Sequence, residues 1–117
     1  MLIELMLCLS LITPVDAKIT SYAPLDNVSG ICADSNPSVT ATGTRPQHGT
    51  IAVDPSKINY GTLLYIEGYG FGIASDTGGA LKRYDGVQID LFQETYKDAI
   101  NWGVRYQTVY IIEGVLR

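Results

Sequence analysis

Hydrophobic and polar residues alternate with a period of two along much of the chain, which is typical of strands buried on one face. Such segments predict strands over 18–23, 50–54, 62–67, 71–75, 87–92 and 106–113. Helical periodicity is confined to residues 94–102, which Gly103 ends. Six short strands and one short helix favour a small all-β domain, closed into a barrel so that no sheet edge is exposed. A β-sandwich is the alternative.

Two segments depart from this alternation. Residues 24–49 are rich in Asn, Asp, Ser, Gly, Pro and Thr and predict a long surface loop, a feature that is usually functional or mobile in compact domains. Residues 5–12 are almost entirely apolar and are followed by Pro14 and a small residue, Ala17. This pattern predicts a signal peptide over 1–17, cleaved after Ala17, with a single domain over 18–117.

The predicted signal peptide implies a secreted or cell-wall-associated protein. Its apolar stretch is too short to cross a bilayer, so we expect no stable membrane span. The segment contains Glu4 and lacks the usual Lys or Arg before the apolar stretch. A truncated start and a buried first strand are therefore the alternatives.

Composition excludes several classes of function. The formal charge is −4, with no basic cluster larger than Lys82-Arg83, so no nucleic-acid partner is expected. Cys8 falls in the predicted signal peptide, which leaves Cys32 alone, and His48 is the only histidine. We therefore expect no intrachain disulfide, no zinc site and no cofactor. The sequence sets no oligomeric state.

Three aspartates end or interrupt apolar runs: Asp54 before Pro55, Asp76 before a glycine pair, and Asp90 within a strand. Asp54 also fits a turn initiator, Asp76 a turn cap, and Asp90 a solvated strand face. Strands disfavour Asp, so Asp90 is the strongest candidate for a catalytic group. Two such carboxyl groups close together cannot both ionise cheaply, and one then has a pKa near neutrality.

A carboxylic acid that is protonated at working pH is what glycosidic cleavage requires, because the leaving oxygen must receive a proton. His48 lies in a polar loop without a nucleophilic Ser or Cys pattern, so nucleophile–histidine catalysis is not supported. The run 40–46 places small hydroxyl residues beside Arg45 and suits sugar hydroxyls, an acetamido group or a peptide carboxylate. Tyr65, Tyr69 and Trp102 are candidate sugar platforms, although Trp102 is expected to pack against the barrel.

These motifs, in this order, resemble the three-Asp (3D) domain family. The resemblance covers residues 40 to 112 and rests on 42–46 (Thr-Gly-Thr-Arg-Pro), 51–55 (Ile-Ala-Val-Asp-Pro), 64–70 (Leu-Tyr-Ile-Glu-Gly-Tyr-Gly), 73–82 (Ile-Ala-Ser-Asp-Thr-Gly-Gly-Ala-Leu-Lys) and 89–92 (Ile-Asp-Leu-Phe). It implies a double-psi β-barrel, as in the catalytic domain of membrane-bound lytic transglycosylase A and in stationary-phase muralytic proteins.

The resemblance further implies that the partner is the glycan strand of peptidoglycan, cut at the MurNAc–GlcNAc β-1,4 bond to leave a 1,6-anhydro-MurNAc end. On this basis we expect Asp90 to be the acid/base, Asp76 to tune it or stabilise the oxocarbenium-like centre, and Asp54 to organise the site. The expected substrate-binding residues are Thr42, Gly43, Arg45, Thr77, Gly78, Gly79 and Lys82.

The chain departs from the family pattern at Asn59, where Pro is usual, and at residues 83–86. The latter form an insertion of about three residues between Asp76 and Asp90, and we expect it to alter the groove and the substrate preference. A hydrolase acting on the same bond stays an open outcome. A non-catalytic wall-binding or wall-loosening module is the rival class, disfavoured because the sequence shows no aromatic strip; an inhibitor or structural barrel is a third possibility.

Overall fold

The structure, a computed structural model, describes residues 11–24 and 39–113. Residues 1–10 of the predicted signal peptide, residues 25–38 of the predicted long loop, Cys8 and Cys32 lie outside the described residues.

The described residues form six strands and two short helices. In chain order these are β1 (Ile12–Tyr22), β2 (Thr50–Ala52), β3 (Leu63–Ile66), β4 (Gly70–Asp76), α1 (Gly79–Arg83), β5 (Gln88–Phe92), α2 (Tyr96–Trp102) and β6 (Arg105–Ile112).

The six strands close into a barrel in the order β1-β5-β2-β4-β3-β6. The β1–β5 and β2–β4 pairs are parallel, and the other pairs are antiparallel. The predicted small all-β barrel of six strands is therefore confirmed, and the sandwich is excluded. Closure pairs every strand on both sides, as expected for a fold that protects its edges.

The barrel interior is filled by the apolar residues that alternate along the strands. Those that are fully buried are Ile19, Ile51, Val53, Leu64, Ile66, Ile89, Leu91 and Val109. Burying each such side chain stabilises the fold by about 1.5–3 kcal/mol. Trp102 at the end of α2 is also buried, and its indole N–H donates to the Ile19 carbonyl at 3.2 Å. Its packing against the barrel, predicted from the sequence, is thus observed.

Tyr69 fastens the barrel at the turn between β3 and β4. Its hydroxyl donates to the Phe92 carbonyl and accepts from the Gly49 N–H, both at 2.7 Å. Its ring stacks on His48 with centroids 4.2 Å apart and packs edge-on against Trp102. Burial raises the pKa of the Tyr69 hydroxyl to about 12, with the nearby charge of Glu94 a smaller contribution in the same direction. Tyr69 is therefore a structural residue, and its predicted role as a sugar platform is wrong.

Beyond small shifts at the ends of the elements, three differences from the predicted elements bear on the site or on the start of the barrel. The strand β2 ends at Ala52, so Asp54 lies in the following turn. The glycine segment after Asp76 contains α1, which is only five residues long and too short to show helical periodicity. The prediction of a single helix was therefore wrong.

The third difference concerns the start of the barrel. The strand β1 begins at Ile12 rather than at Lys18, and it pairs with β6 from Ile12 opposite Ile112 to Ile19 opposite Arg105. The apolar pattern that predicts a signal peptide is also the pattern of a half-buried strand, and the two overlap over residues 12–17. The domain boundary at Lys18 stays a prediction.

Removal of residues 1–17 is expected to lower the thermal midpoint of unfolding, because six residues of β1 would lose their pairing with β6. A loss of 1 kcal/mol in a domain of this size lowers the midpoint by about 4–8 °C, and we expect at least that. Circular dichroism melts of chains 1–117 and 18–117 measure the difference, with chain 11–117 as the control that keeps β1 whole. Equal midpoints for all three chains would contradict the prediction.

Candidate active site

The short strand β2 brings two of the predicted aspartates together. Ala52 pairs with Asp90 of β5 on one side and with Asp76 of β4 on the other, while Thr20 of β1 pairs with Asp90. Residues paired across neighbouring strands project from the same face, and strands are about 4.8 Å apart. The Cα atoms of Asp76 and Asp90 are therefore about 10 Å apart, on either side of Ala52.

A β-bulge places Asp76 on this face. Ile51 pairs with Ala74 inside the barrel, and strict alternation would place Asp76 on the same interior face as Ala74. The register shifts between Ile51 and Ala52, so that Asp76 lies opposite Ala52. A β-bulge of this kind turns a side chain to the other face of the sheet and leaves one residue without a partner on the neighbouring strand. Here the bulge turns Asp76 outward, toward Asp90.

Asp90 has the perturbed carboxyl group of the pair. Burial raises its pKa to about 7 from an ordinary value of 3.8; a hydrogen bond from Thr20 lowers it, and the charge of Asp76 raises it further. The Thr20 hydroxyl donates to Asp90 Oδ1 at 3.0 Å, and Gln88 Nε2 lies 3.4 Å from the same hydroxyl. Near pH 7 the group therefore exists in both the acid and the base form.

Asp76 is held by three hydrogen-bond donors. Its Oδ1 accepts the backbone N–H groups of Ala41 and Thr77, both at 2.9 Å, and its Oδ2 accepts the Tyr22 hydroxyl at 3.0 Å. Tyr22 is buried and packs edge-on against Phe92. Burial, and next the charge of Asp76, raise the pKa of Tyr22 well above its usual range. Tyr22 therefore remains a hydrogen-bond donor at any working pH.

Asp54 forms a turn and does not join Asp76 and Asp90. Its Oδ1 accepts the Ser56 N–H at 3.0 Å and the Ser56 hydroxyl at 2.8 Å, and its Oδ2 lies 3.9 Å from Lys57 Nζ. The two bonds from Ser56 lower its pKa most, assisted by the charges of Lys57 and Lys82. Its hydrogen-bond partners in the described ranges include neither Asp76 nor Asp90. The interpretation of Asp54 as a turn initiator therefore describes its observed contacts.

The loop before β2 positions Asp76. The backbone N–H and the hydroxyl of Thr42 both donate to the Ser75 carbonyl, at 3.2 and 2.9 Å. Gly43 follows with a φ of +87°, a conformation that favours glycine. This attachment places the Ala41 N–H against Asp76. The predicted binding residues Thr42 and Gly43 thus lie at the site, with the Thr42 hydroxyl already paired to the backbone.

The segment after Asp76 forms one wall of the site. The Thr77 hydroxyl donates to the Val53 carbonyl at 2.7 Å, and Gly78 and Gly79 begin α1. Lys82 is exposed in the last turn of α1, and its charge acts on Asp54.

Arg45 lies apart from this wall. It lines a cleft of about 790 Å³ together with Phe92 and Glu94. Phe92 is two residues beyond Asp90 on β5, a step of about 7 Å along the strand.

An aromatic strip, which the sequence did not indicate, lies on the outer face of β4, β3 and β6. Tyr65 pairs with Phe71 on one side and with Tyr110 on the other. The ring centroids are 4.9 and 6.4 Å apart, and Phe71 is 60% exposed. The three residues come from three strands and are distant in sequence. Of the predicted platform residues, only Tyr65 contributes to an exposed surface.

Thr20 and Tyr22 are the site residues that sequence reasoning missed. Both lie on β1, and they reach the two carboxylates because β1 runs parallel to β5. Their signal was the alternation of residues 18–23, in which every second side chain shares a face. This alternation shows that Thr20 and Tyr22 share one face of β1, but it does not indicate which strand pairs with β1.

Within residues 11–24 and 39–113 no group of three His, Cys, Asp or Glu side chains is placed to hold a metal ion. No helix of the same ranges combines the length and apolar character that a membrane crossing needs.

The chain is therefore a small all-β barrel of six strands that places two aspartates, Asp76 and Asp90, on either side of Ala52. The family match is direct: the chain matches the 3D domain over residues 49–113 and belongs to that family.

Two curated relatives from Bacillus subtilis (strain 168) are similar to the chain. It is 42% identical to the cell wall-binding protein YocH over 101 residues, which cover 83% of this chain and 32% of YocH. It is 40% identical over 77 residues to YabE, whose name refers to cell wall shaping; these cover 62% of this chain and 18% of YabE. The chain thus spans a third or less of the length of these relatives.

Among solved structures, the barrel is similar to MltA from E. coli, with a TM-score of 0.52 and 22% identity over 71% of this chain and 29% of MltA. At this identity the likeness shows the fold alone.

Replacing Asp90 by Asn is expected to stabilise the fold at alkaline pH. The folded chain keeps the Asp90 proton up to about pH 7, whereas the unfolded chain releases it near pH 3.8. Between these pH values the folded state binds more protons than the unfolded state, so the free energy of unfolding falls as pH rises. The full destabilisation by the charged Asp90 is present above pH 7. The Asn variant avoids this cost and should be more stable by about 1–4 kcal/mol at pH 8, with the gain disappearing near pH 4.

Urea unfolding of both chains from pH 4 to pH 8 measures this gain. Asp98→Asn, on the exposed face of α2, is the matched control for removing one carboxylate. A gain from Asp90→Asn that does not grow with pH would contradict the raised pKa.

Proposed function

We propose that this chain cleaves the MurNAc–GlcNAc β-1,4 bond of peptidoglycan glycan strands as a lytic transglycosylase, with Asp90 as the acid/base. The observation that carries the proposal is the Asp90 carboxyl, whose pKa is raised to about 7, on the outer face of the barrel and in one row with Asp76. A group with this pKa can both give and take a proton near neutrality. The cell-wall names of YocH and YabE and the MltA-like fold support the choice of substrate.

The reaction needs one group in two protonation states. Protonated Asp90 gives its proton to the glycosidic oxygen as the bond from MurNAc C1 to that oxygen breaks, and GlcNAc leaves as an alcohol. The resulting Asp90 carboxylate then takes the proton of the MurNAc C6 hydroxyl while the C6 oxygen bonds to C1. The product is a 1,6-anhydro ring, no water is consumed, and Asp90 ends protonated as it began.

Asp76 supplies fixed negative charge beside this chemistry. Three donors hold its carboxylate, so it can stabilise the positive charge that develops at C1 without moving. The same charge helps to keep Asp90 protonated in the free site. We assign Asp54 to organising the site through the turn that follows β2, and its bonds from Ser56 support this assignment.

The remaining predicted residues surround the pair. We assign Thr77, Gly78 and Gly79 to the wall that contacts the sugar at the cleavage point, and Thr42 and Gly43 to the opposite loop. Arg45 and Lys82 are exposed cations placed to attract the carboxylates of peptide stems. We further propose that the chain is secreted or cell-wall associated after removal of residues 1–17.

Digestion of purified peptidoglycan tests the reaction. Chain 1–117 is expected to release muropeptides with 1,6-anhydro-MurNAc ends, and Asp90→Asn is expected to reduce the rate at least about 10²-fold, because the proton donor is lost. Mass spectrometry identifies the ends, and Asp98→Asn, an exposed carboxylate on α2, should cut at the wild-type rate.

Three outcomes count against parts of this proposal. A folded Asp90→Asn chain that cuts normally would remove Asp90 from the reaction. Reducing ends, heavier by one water, would establish a hydrolase on the same scaffold. No release, with the protein still sedimenting with the wall, would favour the second candidate, a wall-binding module, for which the exposed strip of Tyr65, Phe71 and Tyr110 is the supporting observation.

The pH dependence of cleavage tests the role of Thr20. Activity as kcat/KM should fall as pH rises through about 7, because the free enzyme loses the acid form of Asp90. The Thr20 hydrogen bond lowers the Asp90 pKa, so Thr20→Val should move this fall to higher pH. Thr20→Ser, which keeps the hydroxyl, should restore the wild-type profile, and an unchanged profile in Thr20→Val would exclude the positioning role.

A further inference from the structure

A second groove, distinct from the cleft beside Arg45, lies on the outer side of β1 and β6. It has a volume of about 500 Å³ and is closed on one side by the loop between α1 and β5. Its principal lining residues are Asp16, Lys18, Tyr84, Gly86, Tyr106 and Gln107. The loop falls where the sequence predicts an insertion relative to the family pattern, at residues 83–86.

The loop is anchored to the barrel by Lys57. Lys57 Nζ donates to the Tyr84 carbonyl at 2.9 Å and to the Gly86 carbonyl at 2.6 Å. Gly86 has a φ of +126°, which favours glycine, and a Cβ there would lie 3.2 Å from the Tyr84 ring. The chain conformation at Gly86 thus depends on glycine and lets Tyr84 pack closely, so the inserted residues form a defined wall.

The groove combines aromatic faces with hydrogen-bonding groups. Tyr106 is 71% exposed, and Tyr84 is partly buried, with Lys18 Nζ 5.2 Å from its ring centroid. At the far end Asp16 Oδ1 accepts the Thr108 hydroxyl at 3.1 Å. A pyranose ring has the matching chemistry, because its C–H face packs on an aromatic ring while its hydroxyls need polar partners.

The groove lies on the same face of β1 as the candidate active site. Lys18 pairs with Tyr106 of β6 on one side and with Gln88 of β5 on the other. Thr20 is two residues further along the same strand face, a step of about 7 Å, and its hydroxyl donates to Asp90. One glycan strand lying along β1 can therefore contact the groove and reach Asp90.

We propose that this groove is a remote subsite that binds a pyranose ring of the glycan strand through Tyr106 and Tyr84. This proposal rests on the proposed function in one respect: the ligand is the same glycan strand that is cut at Asp90. Lys18 and both tyrosines lie within residues 18–117, so removal of residues 1–17 would take away Asp16 and keep these three side chains in the chain. The loop between α1 and β5 supplies Tyr84.

Binding of a soluble glycan tests the subsite separately from catalysis. The probe is the β-1,4-linked hexamer of N-acetylglucosamine, titrated by calorimetry into chain 1–117 carrying Asp90→Asn. Adding Tyr106→Ala should weaken binding about tenfold, which corresponds to about 1.4 kcal/mol. Tyr106 is exposed, so this substitution leaves the core intact, and Tyr96→Ala on α2 is the control that removes another exposed tyrosine.

The outcomes separate this proposal from the proposed function. If Tyr106→Ala binds the hexamer as tightly as the Tyr96→Ala control, or if the Asp90→Asn chain binds no hexamer, the subsite is overturned. If Tyr106→Ala weakens binding while wild-type protein releases no product from peptidoglycan, the subsite stands and the catalytic proposal fails. In a catalytically active chain, Tyr106→Ala should raise KM for long glycan strands and leave kcat unchanged.

Discussion

The position of the three-residue strand β2 between β4 and β5 is the constraint on which the candidate site depends. Both neighbouring strands pair with the same residue, Ala52, and the pairing residue of each strand is an aspartate. Ala52 itself is buried in a cluster with Tyr22, Leu81 and Phe92. The strand thus sets the separation of the two aspartates.

The two aspartates differ because their surroundings differ. Asp76 has two backbone donors and a phenol, whereas Asp90 has one hydroxyl and otherwise loses solvation on burial. The loss of solvation raises the pKa of the Asp90 carboxyl. The hydroxyls of Thr20 and Tyr22 thus act on different carboxyl groups: Thr20 donates to Asp90 and lowers its pKa, and Tyr22 donates to Asp76.

The sequence predicted the fold well because alternation is a local property. Period-two patterns located six strands, and the presence of an aspartate within one of them singled out Asp90, the carboxyl whose pKa is raised. The β-bulge before Ala52 and the pairing of β1 with β5 are long-range features, and no local pattern encodes them. For that reason Thr20 and Tyr22 were missed, and the aromatic strip of Tyr65, Phe71 and Tyr110 was not foreseen.

Local sequence patterns do not distinguish two structures that require the same residues. The apolar residues before Lys18 fit both a secretory leader and the first half of β1, because each requires hydrophobic side chains in a short segment. Asp54 suited both a catalytic group and a turn, and its contacts with Ser56 are those of the turn. The five residues of α1 make little more than one helical turn, too few for a periodic pattern.

The parallel pairing of β1 with β5 has a consequence for how the protein folds. Thr20 and Asp90 are 70 residues apart in the chain, so their hydrogen bond closes a loop that includes β2, β3 and β4. Contacts of such sequence separation are slow to form and depend on most of the intervening chain being in place. A partly folded copy therefore lacks the adjusted carboxyl group, and any chemistry performed there begins only when the barrel has closed.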